Sequence, residues 1–478
     1  MNEQAISADI LKGFPPVDEA RIDALLQKEI DACPVKIIVL DDDPTGVQTV
    51  HDISVYTDWS EESIRQGLKE KNKLFYILTN SRGFTEAQTI EEHREIAENI
   101  AKAAGELGVR AVVMSRSDST LRGHYPTEPR VLKEILEAKG GQPIDGEIIC
   151  PFFKEGGRFT VDNVHYVQYG DKLVPAGETE FAKDKTFGYR SSNIREYVEE
   201  KTKGEYRAAD VISISLEDLR EMRLDAVEEQ LLAVKDFNKI VVNAVDYCDL
   251  KVFSTALYRA MAKGKNFMFR TAAGLVKVMG GITDIPLLTR RDMITSETDM
   301  GGIVVVGSHT QKTTAQLKEL LTLDCAEGIP FHSDLVLAGD EAFAAEIDRV
   351  VKKSEEVMRT GKTAVCYTDR RLLTVENETK EEALLRSVKI SDGVQSLVGN
   401  LTVTPAFVVA KGGITSSDVG TKALKVKRAD VMGQIKPGIP VWKTGPESRF
   451  PGTPYVIFPG NVGEAQTLKE AVQVLADK

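Results

Sequence analysis

Three consecutive aspartates, Asp41 to Asp43, follow the apolar run VKIIVL and precede the turn residues PTG. Adjacent carboxylates repel one another, so we expect nearby cations to offset them or a chemical role to use them. A carboxylate within hydrogen-bond reach of an alcohol can accept its proton, which activates an otherwise poor nucleophile. The three aspartates are therefore candidate functional residues rather than an ordinary strand end.

The same turn also permits a different chemistry. Asp41, Asp43 and Thr45 fit the DxDxT pattern of phosphatases that form an aspartyl phosphate. The later acidic pair that such enzymes place after a strand is not evident in the sequence. The phosphatase stays an alternative with a covalent phosphate on Asp41.

Arginines accompany the acidic turn in the first half of the chain. Arg82 lies in LTNSRGF, and Arg116 and Arg122 lie in MSRSDSTLRGH. A guanidinium is a planar fork suited to a carboxylate or a phosphate. Asp118, Ser119 and Thr120 could simply cap a helix. Two arginines within seven positions favour instead a site for an anionic ligand.

Glycine- and hydroxyl-rich loops follow apolar runs in the second half of the chain, in VVVGSHTQKT, VAKGGITSSD and FPGNVGE. Backbone N–H groups at such loops and at the helices behind them form anion sites. The residues that offer donors or close backbone approach are Ser308, Thr310, Gly412, Gly413, Thr415 and Gly460. Two such loops in one domain suggest a polyphosphate spread across two helix ends.

Composition limits the partners. The chain has 478 residues and a formal charge of −12, which disfavours nucleic acid and anionic membrane surfaces. No run approaches the length of a transmembrane helix, and the start of the chain lacks a signal architecture, so we expect a cytoplasmic protein. Five dispersed cysteines fit reduced thiols rather than a zinc site. RTGKT lacks the first glycine of a P-loop.

The elements that must position these residues alternate between apolar strands and amphipathic helices. This alternation predicts an α/β protein in which each of two domains has a mainly parallel sheet flanked by helices. Ligands bind beyond the carboxyl ends of such strands, which is where the polar loops occur. We predict a helical N-terminal leader over residues 1–34, a first domain over 35–290 and a second over 303–478.

Six stretches in this order resemble the four-carbon acid sugar kinase family. They are DDDPTG, SDSTLRG, CPFFKEGGRFTVDNVHYV, GSHTQKT, AKGGITSSDV and FPGNVG. The resemblance covers about residues 35–470. It implies a sugar-acid-binding first domain, a nucleotide-binding second domain and ATP-dependent phosphorylation of a hydroxyl of threonate, erythronate or 3-oxo-tetronate. It also implies a carbohydrate kinase; the acidic charge predicts that it binds no nucleic acid or membrane, and a homo-oligomer is left open.

The resemblance assigns residues to both ligands. Those assigned to the sugar acid are Asp42, Asp43, Arg82, Arg116, Asp118, Ser119, Thr120 and Arg122. Ser308, Gly460 and the loop from Gly412 through Gly413 and Ile414 to Thr415 match the ATP contacts.

The mechanism expected from these assignments is phosphoryl transfer with one aspartate as base. We predict that Asp43 or Asp42 accepts the hydroxyl proton, with Asp43 preferred, and that Arg82 and Arg122 hold the substrate carboxylate. Mg²⁺ would bridge the ATP phosphates, and its protein ligands stay unassigned. A nucleotide-binding regulatory protein without turnover is the alternative outside enzymes.

Overall fold

The protein was analysed as a computed structural model. It describes residues 4–43, 45–140, 142–295, 298–371, 373–375, 378–460 and 462–477. Pro44 of the acidic turn and Asn461 of the FPGNVG stretch lie outside these ranges.

Strands and helices alternate along most of the chain, as the hydrophobic pattern predicted. The strands are β1 Ile6–Ser7, β2 Lys36–Asp41, β3 Ile53–Tyr56, β4 Leu74–Leu78, β5 Ala111–Arg116, β6 Gly146–Cys150, β7 Arg158–Val161, β8 Val164–Tyr169, β9 Lys172–Pro175, β10 Ile212–Ile214, β11 Asn238–Val242, β12 Phe267–Thr271, β13 Ile303–Val306, β14 Ala326–Phe331, β15 Thr363–Thr368, β16 Val408–Lys411, β17 Arg428–Lys436, β18 Ile439–Thr444 and β19 Pro454–Phe458.

The helices are α1 Glu19–Ala32, α2 Glu61–Lys69, α3 Glu86–Leu107, α4 Thr127–Gly140, α5 Ile194–Lys201, α6 Leu216–Arg220, α7 Leu224–Ala233, α8 Tyr247–Ala262, α9 Ala273–Met279, α10 Arg290–Met293, α11 Gln311–Leu320, α12 Asp340–Arg359, α13 Lys380–Gly399, α14 Gly413–Asp418 and α15 Thr467–Ala476. Among the helices of the described ranges, none combines the length and apolarity that a membrane span requires.

The chain divides into two compact units, and one short segment from the first part of the chain belongs to the second unit. The first unit comprises residues 1–46 and 58–284, and the second comprises 47–57 and 285–478. Strand β3 therefore belongs to the second unit, where it pairs antiparallel with β17. The sequence analysis did not anticipate this exchange, because a pairing between segments more than 370 residues apart leaves no local pattern.

The first unit contains a seven-stranded parallel sheet in the order β10-β11-β6-β12-β5-β2-β4. Its strands are continuous apolar runs because helices cover a parallel sheet; every residue of β2 is buried, for example. The carboxyl ends of all seven strands lie at one edge, which brings the acidic turn and the arginine loops together.

A second, antiparallel sheet in the first unit has the order β1-β9-β8-β7 and was not predicted. Strand β1 comes from the N-terminal segment that the sequence analysis described as a helical leader. Helix α1 of the same segment buries Ile22, Leu26 and Ile30 and packs on α8. The segment is thus built into the first unit.

The second unit contains a mixed sheet in the order β3-β17-β18-β19-β16-β13-β15-β14. The pairs from β19 to β14 are parallel and those from β3 to β19 are antiparallel. Its core includes Val304, Val409 and Val456 from the central strands. The prediction of an α/β protein with two domains and largely parallel sheets is confirmed.

Candidate active site

The acidic turn and Arg116 lie side by side in the first unit because β2 and β5 are neighbours. The register places Asp41, the last residue of β2, opposite Arg116, the last residue of β5. Asp41 also faces Leu78 at the end of β4, and the segment after β4 carries Arg82. The parallel sheet thus assembles residues that are up to 75 positions apart.

Asp41 is a buried structural carboxylate. Its side chain is 2% exposed, and its Oδ1 accepts a hydrogen bond from Arg116 Nη1 at 3.0 Å. Burial raises the pKa of Asp41 to about 6, although the Arg116 charge opposes the shift. A Cβ on Gly46 would lie 1.9 Å from Asp41 Oδ2, so the turn needs glycine there. The carboxylate is enclosed by its own loop.

Asp42 is buried beside two arginines without a good hydrogen bond. Its Oδ2 lies 3.1 Å from Arg82 Nε and its Oδ1 lies 3.9 Å from Arg116 Nη1. Neither oxygen accepts a hydrogen bond within the described part of the chain. Burial therefore outweighs the two cations and raises the pKa of Asp42 to about 7.

Asp43 is the most exposed carboxylate of the turn, with a side chain that is 27% exposed and otherwise buried. Arg82 Nη2 lies 2.6 Å from its Oδ2, and Thr45 donates to its Oδ1 from the backbone at 2.8 Å and from the hydroxyl at 2.5 Å. Burial acts to raise the pKa of Asp43, but Arg82 and the Thr45 hydrogen bonds lower it overall. Asp43 is therefore charged at neutral pH and accessible.

Arg82 joins the acidic turn to the loop after β5. Besides Asp42 and Asp43, its guanidinium approaches Asp118, with Nη1 at 3.6 Å from Oδ1. Asp118 Oδ2 accepts a hydrogen bond from Arg122 Nε at 2.8 Å. Despite burial, Arg82 and Arg122 hold the pKa of Asp118 well below its usual range. The result is a connected line of charges along the sheet edge.

The loop 117–123 does not start a helix, because α4 begins only at Thr127. The Thr120 hydroxyl donates to Asp118 instead, and the buried Ser119 presents its carbonyl to His165 Nε2 at 2.7 Å. The capping explanation of these polar residues is therefore incorrect, and the structure brings all eight predicted residues of this half to one edge.

Arg270 and Glu128 also belong to this edge, and the sequence analysis missed both. Arg270 Nη1 lies 2.7 Å from Glu128 Oε2, and its Nη2 donates to the Arg122 carbonyl at 3.0 Å. A Cβ on Gly123 would lie 2.8 Å from Arg270 Nη2 and 3.5 Å from Asp42 Oδ2. Arg270 is the next-to-last residue of the strand FMFRT, so the expectation that ligands bind beyond strand ends would have pointed to it had that strand been recognised in the sequence.

The second unit has a cavity of about 390 Å³ at the ends of its parallel strands. Six of the seven residues predicted to bind the nucleotide line it: Ser308, Gly412, Gly413, Ile414, Thr415 and Gly460. The seventh, Thr310, is the N-cap of α11, where its hydroxyl accepts from Thr313 N at 3.3 Å. Thr310 is not among the residues lining the cavity, so a direct nucleotide contact stays a prediction.

Two glycines make the polar end of this cavity a narrow cradle. A Cβ on Gly307 would lie 2.4 Å from Thr415 Oγ1, and Gly412 has a φ of +120°, which favours glycine. Lys411, directly before Gly412, is fully buried and donates to the carbonyls of Pro459 at 2.6 Å and Gly460 at 3.0 Å. Burial lowers the pKa of Lys411 to about 7.

The other end of the cavity is formed by residues that the sequence analysis missed. They are Asp369, Arg371 and Leu373 after β15, and Arg386, Ile390 and Val394 on α13. Strand β15 ends at Thr368 and is followed by DRR, a polar strand end like the others that could have been recognised in the sequence. The face of α13 carried no such signal, since its apolar residues are indistinguishable from ordinary core positions.

The residues present fit a nucleoside polyphosphate, since a glycine cradle adjoins an apolar wall. The described residues include no cluster of three or more His, Cys, Asp or Glu side chains that could hold a metal ion by themselves. Asp369 is a carboxylate on the cavity wall, so a magnesium ion held mainly by phosphates is compatible with the donor set.

Several solved structures resemble this chain. A Haemophilus influenzae protein of the DUF1537 family aligns with a TM-score of 0.62 at 17% identity, over 92% of this chain and 100% of that one. A Salmonella typhimurium LT2 protein with a provisional tRNA synthase name aligns with a TM-score of 0.66 at 16% identity, over 91% and 98%. These two establish the similarity of fold alone. No curated protein matches the chain.

Family models match both units. Residues 37–279 match the sugar-binding N-terminal domain, and residues 303–468 match the nucleotide-binding C-terminal domain. The fold and both sites thus define a two-domain α/β protein with a sugar-binding and a nucleotide-binding domain. With this architecture, the chain belongs to the four-carbon acid sugar kinase family.

Proposed function

We propose that the protein is an ATP-dependent kinase that phosphorylates a hydroxyl of a four-carbon sugar acid of the threonate, erythronate or 3-oxo-tetronate type. The observation that carries this proposal is the line of charges Asp43, Arg82, Asp118 and Arg122 on the sugar-binding domain, whose side chains are between 11% and 27% exposed. It offers carboxylates for hydroxyl groups and guanidinium groups for an acid at the same strand edge.

In this proposal Asp43 contacts the acceptor hydroxyl and takes its proton. A general base must first lie within hydrogen-bond reach of the hydroxyl proton, and only then does its pKa matter. Asp43 is the most exposed carboxylate of the turn. Arg82, 2.6 Å away, keeps Asp43 charged and oriented. Asp42 is the buried carboxyl beside them, and because its pKa is raised to about 7 it can hold a proton near neutral pH.

The nucleotide would place its phosphates at the loop from Gly412 to Thr415 and at Ser308. Its base would lie against the apolar wall that includes Ile390 and Val394. Bound Mg²⁺ supplies charge neutralisation on the phosphates, with Asp369 as the carboxylate available on the wall. Lys411 shapes the loop at Gly460 through its two carbonyl contacts.

The aspartyl-phosphate phosphatase is not supported. Its nucleophile would be Asp41, whose side chain is 2% exposed and bound by Arg116. A nucleophile must reach the phosphorus atom, and this carboxylate is enclosed by Gly46.

The direct test is ADP release with ATP, Mg²⁺ and a panel of four-carbon acids. We expect turnover with at least one acid, and at least a hundredfold loss of kcat in Asp43→Asn. Because the pKa of Asp43 is lowered, kcat/KM should stay level down to about pH 5. A fall in kcat/KM below about pH 7 would assign the base to Asp42 instead. ADP binding without turnover of any acid would favour the regulatory protein.

A further inference from the structure

The small antiparallel sheet of the first unit holds the loop 117–123 in place. His165 on β8 donates from Nε2 to the Ser119 carbonyl, while its Nδ1 lies 3.0 Å from the Thr160 hydroxyl on β7. Burial lowers the pKa of His165 to about 4, so the ring stays neutral in this role. Tyr189 OH donates to the Thr120 carbonyl at 2.7 Å. Residues of β7 and β8 are therefore neighbours of the proposed acid site.

Arg158, the first residue of β7, lies close to Arg122 of this loop. The two guanidinium carbons are 5.7 Å and 5.1 Å from the centroid of the same ring, Phe181. Both guanidinium groups therefore pack on one ring, and the charge of Arg122 acts on Arg158, whose pKa it lowers. Each guanidinium offers the planar donor fork that binds a carboxylate.

Arg158 differs from the other arginines around this edge in its partners. Arg82, Arg116, Arg122 and Arg270 each form an ion pair with a carboxylate. Arg158 forms none with any carboxylate of the described ranges. Its Nη1 donates to the Gly156 carbonyl, and its buried Nε has no hydrogen-bond partner among those residues.

An unpaired guanidinium away from bulk water is unfavourable, and it becomes favourable once an anion arrives. Arg158 is half-buried, and this burial lowers its pKa even though the Asp118 charge opposes the shift. Asp118 is already engaged by Arg82 and Arg122. Glu180 also acts on Arg158 by its charge, but no carboxylate of the described ranges forms an ion pair with Arg158, which leaves its guanidinium available to an anionic ligand.

We propose that Arg158 is a specificity-determining residue that binds the carboxylate of the substrate together with Arg122. The inference rests on the proposed kinase function and extends it, since it makes the antiparallel sheet part of the acid site. Arg82 is then left to orient Asp43, with which it already forms its shortest contact.

The test compares each four-carbon acid of the panel with its primary amide, which keeps the hydroxyls and lacks the charge. The variants are Arg158→Met, Arg158→Lys and the control Arg190→Met, whose side chain is 89% exposed. Binding of acid and amide is measured by calorimetry, and kcat/KM for both is measured by ADP release.

We expect Arg158→Met to lower the acid-to-amide ratio at least tenfold in binding and in kcat/KM, with Arg158→Lys between it and the wild type. A variant that only folds poorly would weaken acid and amide alike, which leaves the ratio unchanged and overturns the inference. An unchanged ratio in a well-folded variant overturns it too, as does a wild type that prefers no acid over its amide. Acid binding through Arg158 without ADP release rejects the kinase function alone.

Discussion

At the scale of single residues, the three adjacent aspartates have three different environments. Asp41 is paired with Arg116, Asp42 is buried and accepts no hydrogen bond from the described residues, and Asp43 is partly exposed and bound by Arg82 and Thr45. Desolvation raises the pKa of the first two carboxyls, whereas hydrogen bonds and a cation lower that of the third. Three identical side chains in a row can thus differ in protonation at the same pH, because each is desolvated and paired to a different extent.

Asp42→Asn should stabilise the protein increasingly as the pH rises. Because the folded pKa of about 7 exceeds the ordinary 3.8, the folded state holds the proton more tightly and wild-type stability falls between these values. Each pKa unit corresponds to about 1.4 kcal/mol. The free energy of unfolding of Asp42→Asn minus that of the wild type, from urea titrations, should grow from about pH 4 to about pH 7 and then level off.

Asp43→Asn is the matched control for this titration. The folded pKa of Asp43 lies below 3.8, so its stabilising effect is complete above that pH and is lost only in more acidic solution. The difference for Asp43→Asn should therefore be flat between pH 4 and pH 7. A flat difference for Asp42→Asn as well would contradict the raised pKa that we assign to the buried Asp42 carboxyl.

At the scale of elements, each site is made by loops at the carboxyl ends of parallel strands, and glycines set how closely these loops approach. Gly307 after β13 and Thr415 in α14 come from adjacent strand ends, since β13 pairs with β16. Their contact closes the polar end of the nucleotide cavity. The loop spacing, rather than any one side chain, creates the space for phosphates.

Gly307→Ala should weaken nucleotide binding without affecting the sugar-acid site. The added Cβ would lie 2.4 Å from Thr415 Oγ1, so the loop must shift by about 1 Å to restore ordinary contact. We expect at least a tenfold rise in the Kd for ATP, measured by calorimetry, with unchanged Kd for the acid. Gly105→Ala on α3 is the control, since nothing lies within 4 Å of its Cβ. An unchanged ATP affinity in Gly307→Ala would place the phosphates elsewhere.

At the scale of the whole molecule, the chain passes between the two units three times rather than once. Residues 47–57 bring β3 to the sheet of the second unit, where four residue pairs join it to β17. Asp52 N donates to the Val431 carbonyl at 2.7 Å, and Gln48 Nε2 donates to the Gly438 carbonyl at 3.3 Å. The second unit is therefore incomplete when it is defined by a single cut in the sequence.

A fragment of residues 285–478 should be less stable than the same fragment with residues 47–57 attached through a Gly/Ser linker. Without β3, the edge of β17 exposes unpaired backbone groups, and the apolar contacts of Ile53 and Val55 are lost. We expect a difference of about 3 kcal/mol or more in urea unfolding. A scrambled 47–57 segment is the control. Equal stability of all three fragments would show that β3 contributes nothing to this unit.

The sequence by itself determined the class of fold, since continuous apolar strands and amphipathic helices alternate along the chain. It also pointed to most of the candidate site residues, because polar residues at the carboxyl ends of parallel strands must meet at one sheet edge. Asp42, Arg82 and Gly412 were found in this way. Local pattern was sufficient wherever the functional residue and its strand are neighbours in the chain.

Only the tertiary structure decided what depends on contacts between distant segments. These include the exchange of β3, the ion pair of Arg270 with Glu128, the ring shared by Arg122 and Arg158, and the different pKa values of three adjacent aspartates. Burial and charge are properties of the surroundings of a side chain in space. Neighbours in sequence supply only a small part of those surroundings, so no spacing rule could have given them.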